Sequence, residues 1–502
     1  MAVVALPHVL LTTLLLPLAA SLLALLLGRA LGPKTGWLVA AVHLLQAALM
    51  SYITAAVWAQ GPLEEHYAWS AWPTVGLDLV ADGLSTPTAL VMALIGACLA
   101  FYSVRYIQYR IQALYGPEKG RYGRYYTIYY ALYPLLPLGL VGIALSANLI
   151  MIWLFLELML IPFYFIIAYF GYGERHRIAL MCFLWGTAAS TLFVAGAFVA
   201  YAHTGSFTLS SLPALAEADA RSTLLACSLM VLGLLIKMAA FGFHVWLPWV
   251  HSNTPTCIAG LFACYANIGA YVLARAVVLP LPGVFELLSP IIMVWALITM
   301  VYGAALTLAQ DDVKRLCACS TISQVGYSLL GVASAAPAAV AGGIFYMLSH
   351  LLGKSVLFST AGALVYELHE RDIKRMGGLG RLVPLTAILW ALGAMILSAI
   401  PPLSGFAAEM TMFSAIFRSA LTAPLKLAVA IGGVLATALT AAYTFWPLKR
   451  IFMGQPRSNP GEAVREAPAS MLVPLFVLAL ASAALGICPR LVVELLMSSL
   501  RA

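Results

Sequence analysis

Long apolar runs separated by short polar stretches fill this chain from one end to the other. Each run reaches about 20 residues, which is the length an α-helix needs to cross a bilayer. The pattern predicts an all-α polytopic membrane protein with a single transmembrane domain over residues 1–502. The apolar runs predict about 14 transmembrane helices, at 6–28, 36–59, 83–104, 126–147, 148–170, 178–203, 223–250, 255–279, 287–309, 313–334, 338–366, 383–415, 424–447 and 469–488.

Glycine and proline interrupt the seventh and the twelfth predicted helix, within residues 237–248 and 399–409. Proline removes a backbone donor and clashes with the preceding turn. At membrane depth the freed backbone groups must be satisfied by protein or water, so broken helices lie inside bundles or line wet cavities. Two breaks that fall five helices apart suggest two five-helix repeats, in the way that transporter breaks occur in pairs.

The same spacing gives a hypothesis for the domain organisation. Helices 1–3 occupy 6–104, the first repeat 126–279, the second repeat 287–447 and the final helix 469–488. A Gly-Phe pair at each break is shared, but the two halves show no further convincing sequence repeat.

The composition strengthens the membrane assignment. The 502 residues are 63% hydrophobic and 9% charged, whereas a soluble domain carries roughly 25% charged residues. The eight cysteines lie mostly in apolar runs, without the spacing of an iron–sulfur motif. The N-terminal run lacks a basic leading region and a clear cleavage site, so we expect a first helix there rather than a cleaved signal peptide.

Basic residues in the predicted loops are distributed unevenly between the two sides of the membrane. If the loops alternate sides, nineteen basic residues fall on one side and six on the other. The positive-inside rule then predicts both termini on the non-cytoplasmic side. The nineteen are Arg29, Lys34, Arg105, Arg110, Lys119, Arg121, Arg124, Arg175, Arg177, Lys314, Arg315, Arg371, Lys374, Arg375, Arg381, Lys449, Arg450, Arg457 and Arg465, and the six are Arg221, Arg275, Arg418, Lys426, Arg490 and Arg501.

Four charged residues lie within predicted helices: Glu157, Lys237, Lys354 and Glu409. A charge at the bilayer centre costs about 2.5–3.5 kcal/mol on insertion scales. Two acids and two bases can offset part of that cost by pairing, so a purely structural role as ion pairs between helices stays open. Four such residues together with two broken helices favour an ion path instead.

Histidines accompany these charges. His350 and Lys354 are four residues apart, so one helical face carries both. Histidine titrates near neutral pH, and a desolvated lysine loses proton affinity, so the pair is suited to proton transfer. His244 and His251 lie near the first break, but no further metal ligands lie nearby in the sequence, and we expect no metal site.

Several stretches, taken in order, resemble the antiporter-like subunits of respiratory complex I and of its relatives, the membrane-bound hydrogenases and Mrp-type sodium/proton antiporters. The resemblance covers roughly residues 80–450. The length is most similar to the complex I subunit M type, and the pairing of His350 with Lys354 is more similar to the hydrogenase and Mrp relatives. The stretches that carry it are 155–162, 237–251, 312–326, 349–350 and 404–409.

The resemblance implies two inverted five-helix repeats, at helices 4–8 and 9–13, and a hydrated row of charges at mid-membrane. In this picture Glu157 pairs with Lys237 in the first half-channel, and His350 and Lys354 connect the halves. Glu409 ends the path toward the outer side. The resemblance also assigns His244, beside the first break, to the proton pathway.

Three positions depart from the family pattern. Asn267 stands where the family usually has a lysine, Gln324 replaces a common histidine, and Trp249 replaces a usual acid. Asparagine can bond water but cannot carry a proton. We therefore expect Asn267, Ser323 and Gln324 to line water, and the first-half relay to differ from that of the family.

The resulting hypothesis is a proton- or sodium-translocating membrane subunit of a redox-driven, complex I-type pump. It has no catalytic redox site, cofactor or metal of its own. Iron–sulfur clusters and a quinone or hydrogenase centre are expected on partner subunits, with membrane lipids around the chain and no nucleic acid. The expected location is a bacterial or archaeal plasma membrane. Two alternatives remain, namely a subunit of an Mrp-like antiporter without redox chemistry and a non-conducting structural subunit.

Overall fold

A computed structural model describes residues 6–71, 74–121, 123–421, 423–455 and 464–500, and their side chains except those of 74 and 117–121. Of the basic loop residues above, Arg457 and Arg501, and the side chains of Lys119 and Arg121, lie outside this description. The helices are α1 Val9–Leu31, α2 Thr35–Gln60, α3 Ser85–Arg121, α4 Arg124–Leu132, α5 Leu135–Leu145, α6 Leu149–Phe170, α7 Arg175–Thr204, α8 Leu212–Ala218, α9 Ala220–Lys237, α10 Trp246–Asn253, α11 Ala259–Leu273, α12 Pro282–Leu308, α13 Val313–Ala333, α14 Pro337–Leu368, α15 Pro384–Leu397, α16 Ser404–Ala420, α17 Pro424–Phe452, α18 Ala469–Ile487 and α19 Pro489–Leu500.

Twelve of the described helical segments are long and apolar enough to cross a membrane, with α1 and α2 taken together as one segment. Counting α1 and α2 separately and adding the broken pair α15 and α16 gives fourteen spans, in agreement with the predicted fold. The fourth span is α4 followed by α5, the seventh is α9 followed by α10, and the twelfth is α15 followed by α16. The seventh and twelfth are therefore broken, as predicted. The boundary between the fourth and fifth spans lies at 146–148, where the chain leaves α5 and Asn148 caps α6 by accepting a hydrogen bond from the Ile150 N–H at 2.9 Å.

A β-hairpin between the second and third spans was not predicted. Strands β1 (Leu63–Ala71) and β2 (Thr74–Ala81) pair antiparallel. The Glu65 carboxylate accepts the backbone N–H groups of Leu10 and Leu11 at 2.9 Å each. An acid at a helix N-terminus satisfies otherwise unpaired donors and interacts favourably with the helix dipole, so the hairpin caps α1.

Turns from distant parts of the chain meet at this hairpin. The Ala147 N–H donates to Asp78 O at 2.9 Å, and Asn148 Nδ2 donates to Asp78 Oδ2 at 3.1 Å. Arg275, in a π-helical turn over Ala274–Val278 after α11, pairs with Asp82. We call this end of the bundle the hairpin face. The opposite end, formed by the turns at 32–34, 171–174, 309–312 and 369–383, is the arginine-rich face.

Three spans form the centre of the bundle and have no surface for lipid. The apolar windows of Thr256–Val278, Val313–Ala333 and Pro337–Leu368 are wholly buried. Most peripheral spans, such as α17, expose a large part of their apolar surface. Because ionisable groups are costly in hydrocarbon, the central spans are where such side chains can be held by protein.

Candidate functional site

Glu157 lies on α6 and faces α7. The Ser190 hydroxyl of α7 donates to Glu157 Oε1 and also lies 3.1 Å from the carbonyls of Gly186 and Thr187. Ser190 is buried, while Glu157 is partly exposed. A buried carboxylate is stabilised by a hydroxyl donor, so Ser190 fixes the acid at the start of the predicted path.

Lys237 is the last residue of α9, at the point where the seventh span breaks. Its side chain is 2% exposed, and its ammonium lies 3.1 Å from the centroid of the Tyr265 ring on α11. No described group makes a hydrogen bond to Lys237 Nζ. The ring face supplies a cation–π contact in place of an acceptor.

Glu157 and Lys237 were expected to pair. The structure brings them into electrostatic interaction, but the salt bridges among the described side chains, all within 4.0 Å, do not include this one. Each group instead has its own neutral partner, Ser190 for the acid and Tyr265 for the amine. The expected close ion pair between the two side chains is therefore not formed among the described residues.

The first break is held by side chains of α12. Thr299 Oγ1 accepts the Phe241 N–H at 3.1 Å, and Trp295 Nε1 donates to Phe241 O at 2.8 Å. His244, inside the break, contacts the Tyr302 hydroxyl through Nε2 at 3.2 Å and accepts the Gly242 N–H at Nδ1, also at 3.2 Å. Nδ1 therefore carries no proton, and Nε2–H donates to Tyr302.

Asn267 joins the first half of the path to the second. Its Nδ2 donates to Ala263 O at 2.8 Å, which leaves Oδ1 facing His350 Nδ1 at 3.0 Å. Because Oδ1 only accepts, His350 carries its proton on Nδ1. His350 Nε2 is buried and has no hydrogen-bond partner in the described structure, so a lone pair on the ring remains free.

Lys354 follows His350 by one helical turn on α14. Its ammonium donates to Ser320 Oγ at 2.6 Å and to Cys317 O at 3.1 Å, both on α13. The side chain is wholly buried. Two acceptors leave one of its three N–H groups uncommitted, and that donor is available for proton transfer.

A hydrogen-bonded tyrosine cluster continues from His350 along α14. Tyr346, four residues before His350, donates to Gln324 Oε1 at 2.9 Å, and Gln324 Nε2 donates to the Tyr443 hydroxyl at 2.8 Å. Gln324 thus holds a central place in this network, although whether it lines water stays a prediction. Ser323 donates to Met300 O at 2.8 Å and so joins α13 to α12.

Glu409 lies on α16 beyond the second break. Its Oε1 is buried without a hydrogen-bond partner in the described part of the chain. It interacts electrostatically with Tyr327, Tyr346 and Tyr443. Glu409 therefore lies near the tyrosines that are hydrogen-bonded to Gln324, and one of these, Tyr346, is one helical turn from His350.

These tyrosines, together with Tyr265 and Ser190, were not predicted from the sequence. One signal was present: Tyr346, His350 and Lys354 recur at four-residue spacing, which places them on one helical face. Tyr265 and Ser190 lie on other spans, and their approach depends on helix packing rather than on local spacing.

A separate cavity of about 940 Å³ opens on the hairpin face, and the row of ionisable groups described above does not line it. Its lining includes Glu64, Asp82 and Glu494. His66 also lines it and lies 3.2 Å from Asp78 Oδ1, and this hydrogen bond to the carboxylate raises the pKa of the imidazole. In the described residues, no group of three or more histidine, cysteine or acidic side chains is arranged to hold a metal ion.

Two broken spans and a buried row of acids, amines and hydroxyls across a fourteen-span bundle define an antiporter-like membrane protein. The chain belongs to the family described as NADH:quinone oxidoreductase/Mrp antiporter, whose membrane-region model matches residues 146–440.

Individual relatives agree with this assignment. NADH-quinone oxidoreductase subunit N of Desulforudis audaxviator is 31% identical over 502 residues, covering 96% of each chain. NAD(P)H-quinone oxidoreductase chain 4 1 of Synechococcus elongatus is 29% identical over 96% of this chain and 88% of the relative.

Solved structures share the fold. A chain of the Mrp complex from Dietzia sp. matches with a TM-score of 0.84 at 23% identity, covering 98% of this chain and 96% of that one. A chain of respiratory complex I from Thermus thermophilus matches with a TM-score of 0.82 at 24% identity, covering 98% and 99%.

Proposed function

We propose that the chain is the proton- or sodium-translocating, antiporter-like membrane subunit of a complex I-type redox-driven pump. The main observation is the row of ionisable and polar side chains held inside the bundle, from Glu157 and Lys237 through Asn267 and His350 to Lys354 and Glu409. Isolated buried charges are expensive at membrane depth, and such groups commonly mark ion or proton paths.

The free lone pair on His350 Nε2 and the uncommitted N–H of Lys354 suggest the central step. A proton passes from the Lys354 ammonium to His350 Nε2, so one N–H bond breaks as another forms. The proton already on Nδ1 faces Asn267, whose amide oxygen accepts a hydrogen bond but does not carry a proton onward. Transfer past this point into the first half then relies on water.

The distribution of basic residues supports a particular membrane orientation. We propose that the arginine-rich face is cytoplasmic and that both termini lie on the opposite side, because cytoplasmic loops carry an excess of lysine and arginine. We keep the division into repeats at 126–279 and 287–447, with helices 1–3 at 6–104 and a final helix at 469–488, as part of this proposal.

The redox chemistry is assigned to other subunits. The relatives are named as parts of NADH- and NAD(P)H-quinone oxidoreductases, and we propose that iron–sulfur clusters and a quinone or hydrogenase centre lie on partner chains. This chain then couples to electron transfer through changes of charge along the membrane.

A second candidate is a sodium/proton antiporter subunit without redox chemistry. It is favoured by the similarity in fold to a chain of the Mrp complex and by the pairing of His350 with Lys354 on α14, which is more similar to the hydrogenase and Mrp relatives.

Purification of the native complex in mild detergent distinguishes the two candidates. The redox-pump proposal expects iron–sulfur proteins among the co-purifying subunits, and electron-transfer-driven ion uptake after reconstitution into proteoliposomes. Glu409→Gln should abolish most of this uptake while the subunits still co-purify. Co-purification of small membrane subunits alone, with sodium/proton exchange, would support the antiporter candidate instead.

A further inference from the structure

Lys314 is a buried amine that lies outside the row of charges described above. It was counted as a loop residue, but it lies in the first turn of α13 and is wholly buried. Its ammonium donates to Thr254 O at 2.8 Å and lies 4.0 Å from the centroid of the Tyr172 ring. The salt bridges found among the described residues do not include Lys314.

The surroundings of Lys314 are rich in positive charge. Arg110 and Arg371 also approach the Tyr172 ring, at 3.6 and 5.6 Å from its centroid. The nearby Asp312 pairs with Arg371 at 2.9 Å, and Asp312 also caps α13. An amine crowded by two guanidinium groups, without an acid of its own, is a poor structural ion-pair partner. It is better suited to giving up a proton.

His251 is a second buried ionisable residue near both Lys314 and the central row. It is wholly buried on α10, and its ring stacks on Phe358 of α14 at 4.1 Å. Nε2 donates to Ala259 O at 3.0 Å, while Nδ1 is buried and unpartnered within the described structure. His251 interacts electrostatically with both Lys354 and Lys314.

Both amines are associated with helix α13. Lys314 is a residue of α13, and Lys354 reaches the same helix at Cys317 and Ser320. Three to six residues along an α-helix correspond to about 5–9 Å. Lys314 therefore precedes the α13 groups that hold the Lys354 ammonium by about one to two helical turns. His251 interacts electrostatically with both amines.

We propose that His251 and Lys314 form a side branch that carries protons between Lys354 and the arginine-rich face. The inference rests on the proposed ion translocation and adds the route by which protons reach the row. Each transfer breaks one N–H bond and forms another: His251 Nδ1 accepts a proton from one amine and releases it to the other. Nε2–H remains bonded to Ala259 O throughout. Electrons do not move in this branch.

Substitutions at Lys314 test this branch in the reconstituted complex. Lys314→Met and Lys314→Arg should each lower proton uptake by about tenfold or more, because methionine has no proton to give and guanidinium barely deprotonates. His251→Gln should lower it similarly. The control is Lys34→Met, an exposed lysine on the same face, which should pump at the parental rate.

The pattern of results separates the branch from the proposed function. If Lys354→Ala pumps at the parental rate, ion translocation along the row is itself wrong. If Lys354→Ala is inactive while Lys314→Arg pumps normally, Lys314 is only a fixed charge on α13 that bonds Thr254 O, and the branch is overturned. Should Lys314→Met fail to assemble, Lys314→Arg and His251→Gln, which keep a polar group in place, decide the question.

Discussion

The two broken spans end their first half-helices in the same way. Two residues after each half-helix an alanine adopts a left-handed conformation, Ala239 with φ 53° and Ala399 with φ 51°. In each case the next residue donates back five positions, from Ala240 to Leu235 O and from Ile400 to Met395 O, at 3.0 Å. This is a Schellman-type helix ending, in which the left-handed residue is usually glycine. The two breaks therefore share the same backbone conformation, although their sequences differ.

The chemistry at the two breaks differs. At the first, the ionisable group precedes the break, because Lys237 ends α9, whereas the equivalent last residue of α15 is Leu397. At the second, the acid follows the break, since Glu409 lies within α16. The broken helix is therefore a common scaffold, and the charge is placed on it independently in each half.

The second break is also held differently. Ser404 exchanges hydrogen bonds at 2.7 Å with Ser349 of α14 and with Ser482 of α18. The first break relies on Thr299 and Trp295 of α12 instead. The central helix α14 thus contacts the second break directly, which brings that break close to the residues that link the two halves.

The largest effect is expected at Lys354, where the two halves meet. Lys354→Ala should abolish nearly all pumping, because it removes a protonatable group from the middle of the row. Lys354→Arg should fail as well, since guanidinium barely deprotonates. Proton uptake into proteoliposomes measures both. Near-normal pumping by the arginine variant would mean that Lys354 is a fixed countercharge and that the halves are not joined by proton transfer there.

Glu157→Gln should remove most translocation while the complex still assembles. The substitution keeps the hydrogen bond with Ser190 but removes the negative charge that interacts with Lys237. The matched control is Glu174→Gln, an exposed acid whose side chain is 73% accessible. Pumping by Glu157→Gln at the parental rate would show that the first half does not depend on this acid.

Asn267→Lys tests whether the first half can regain the family's usual lysine. The new ammonium would replace a bonded amide in a wholly buried position, next to His350 and without an acid partner. An unpaired buried charge costs roughly 3–5 kcal/mol, so we expect a lower melting temperature in detergent and no gain in pumping. Gln310→Lys, at a half-buried turn position, provides the control. A stable variant that pumps faster would show that the site has kept its relay geometry.

Much of this molecule could be predicted from its sequence because membrane helices are encoded locally. The lengths of the apolar runs predicted the fourteen spans, and the positions of glycine and proline predicted both breaks. Glu157, Lys237, Lys354 and Glu409 stood out because charged residues are rare in such runs.

The remaining features depend on contacts between distant segments. Lys314 was counted with the basic loop residues, although the predicted helix 313–334 includes it. Its burial arises only when α13 packs against Thr254 and Tyr172. The hairpin was missed because the apolar-length criterion detects helices and not short strands. The bond between Asn267 and His350 joins residues 83 positions apart, which local spacing does not indicate.

The smallest predicted effect concerns the shared geometry of the breaks. An L-residue in the left-handed region destabilises the folded state by about 1–2 kcal/mol. Glycine removes this strain, but it also increases the conformational entropy of the unfolded chain, which lowers the stability by about 0.4–1 kcal/mol. Ala239→Gly and Ala399→Gly should therefore leave the melting temperature in detergent unchanged or raise it slightly, and by similar amounts. Ala266→Gly, within the regular helix α11, should lower it, since glycine costs about 1 kcal/mol there. A clear loss at only one of the two breaks would show that the breaks are not equivalent, and the common scaffold would have to be abandoned.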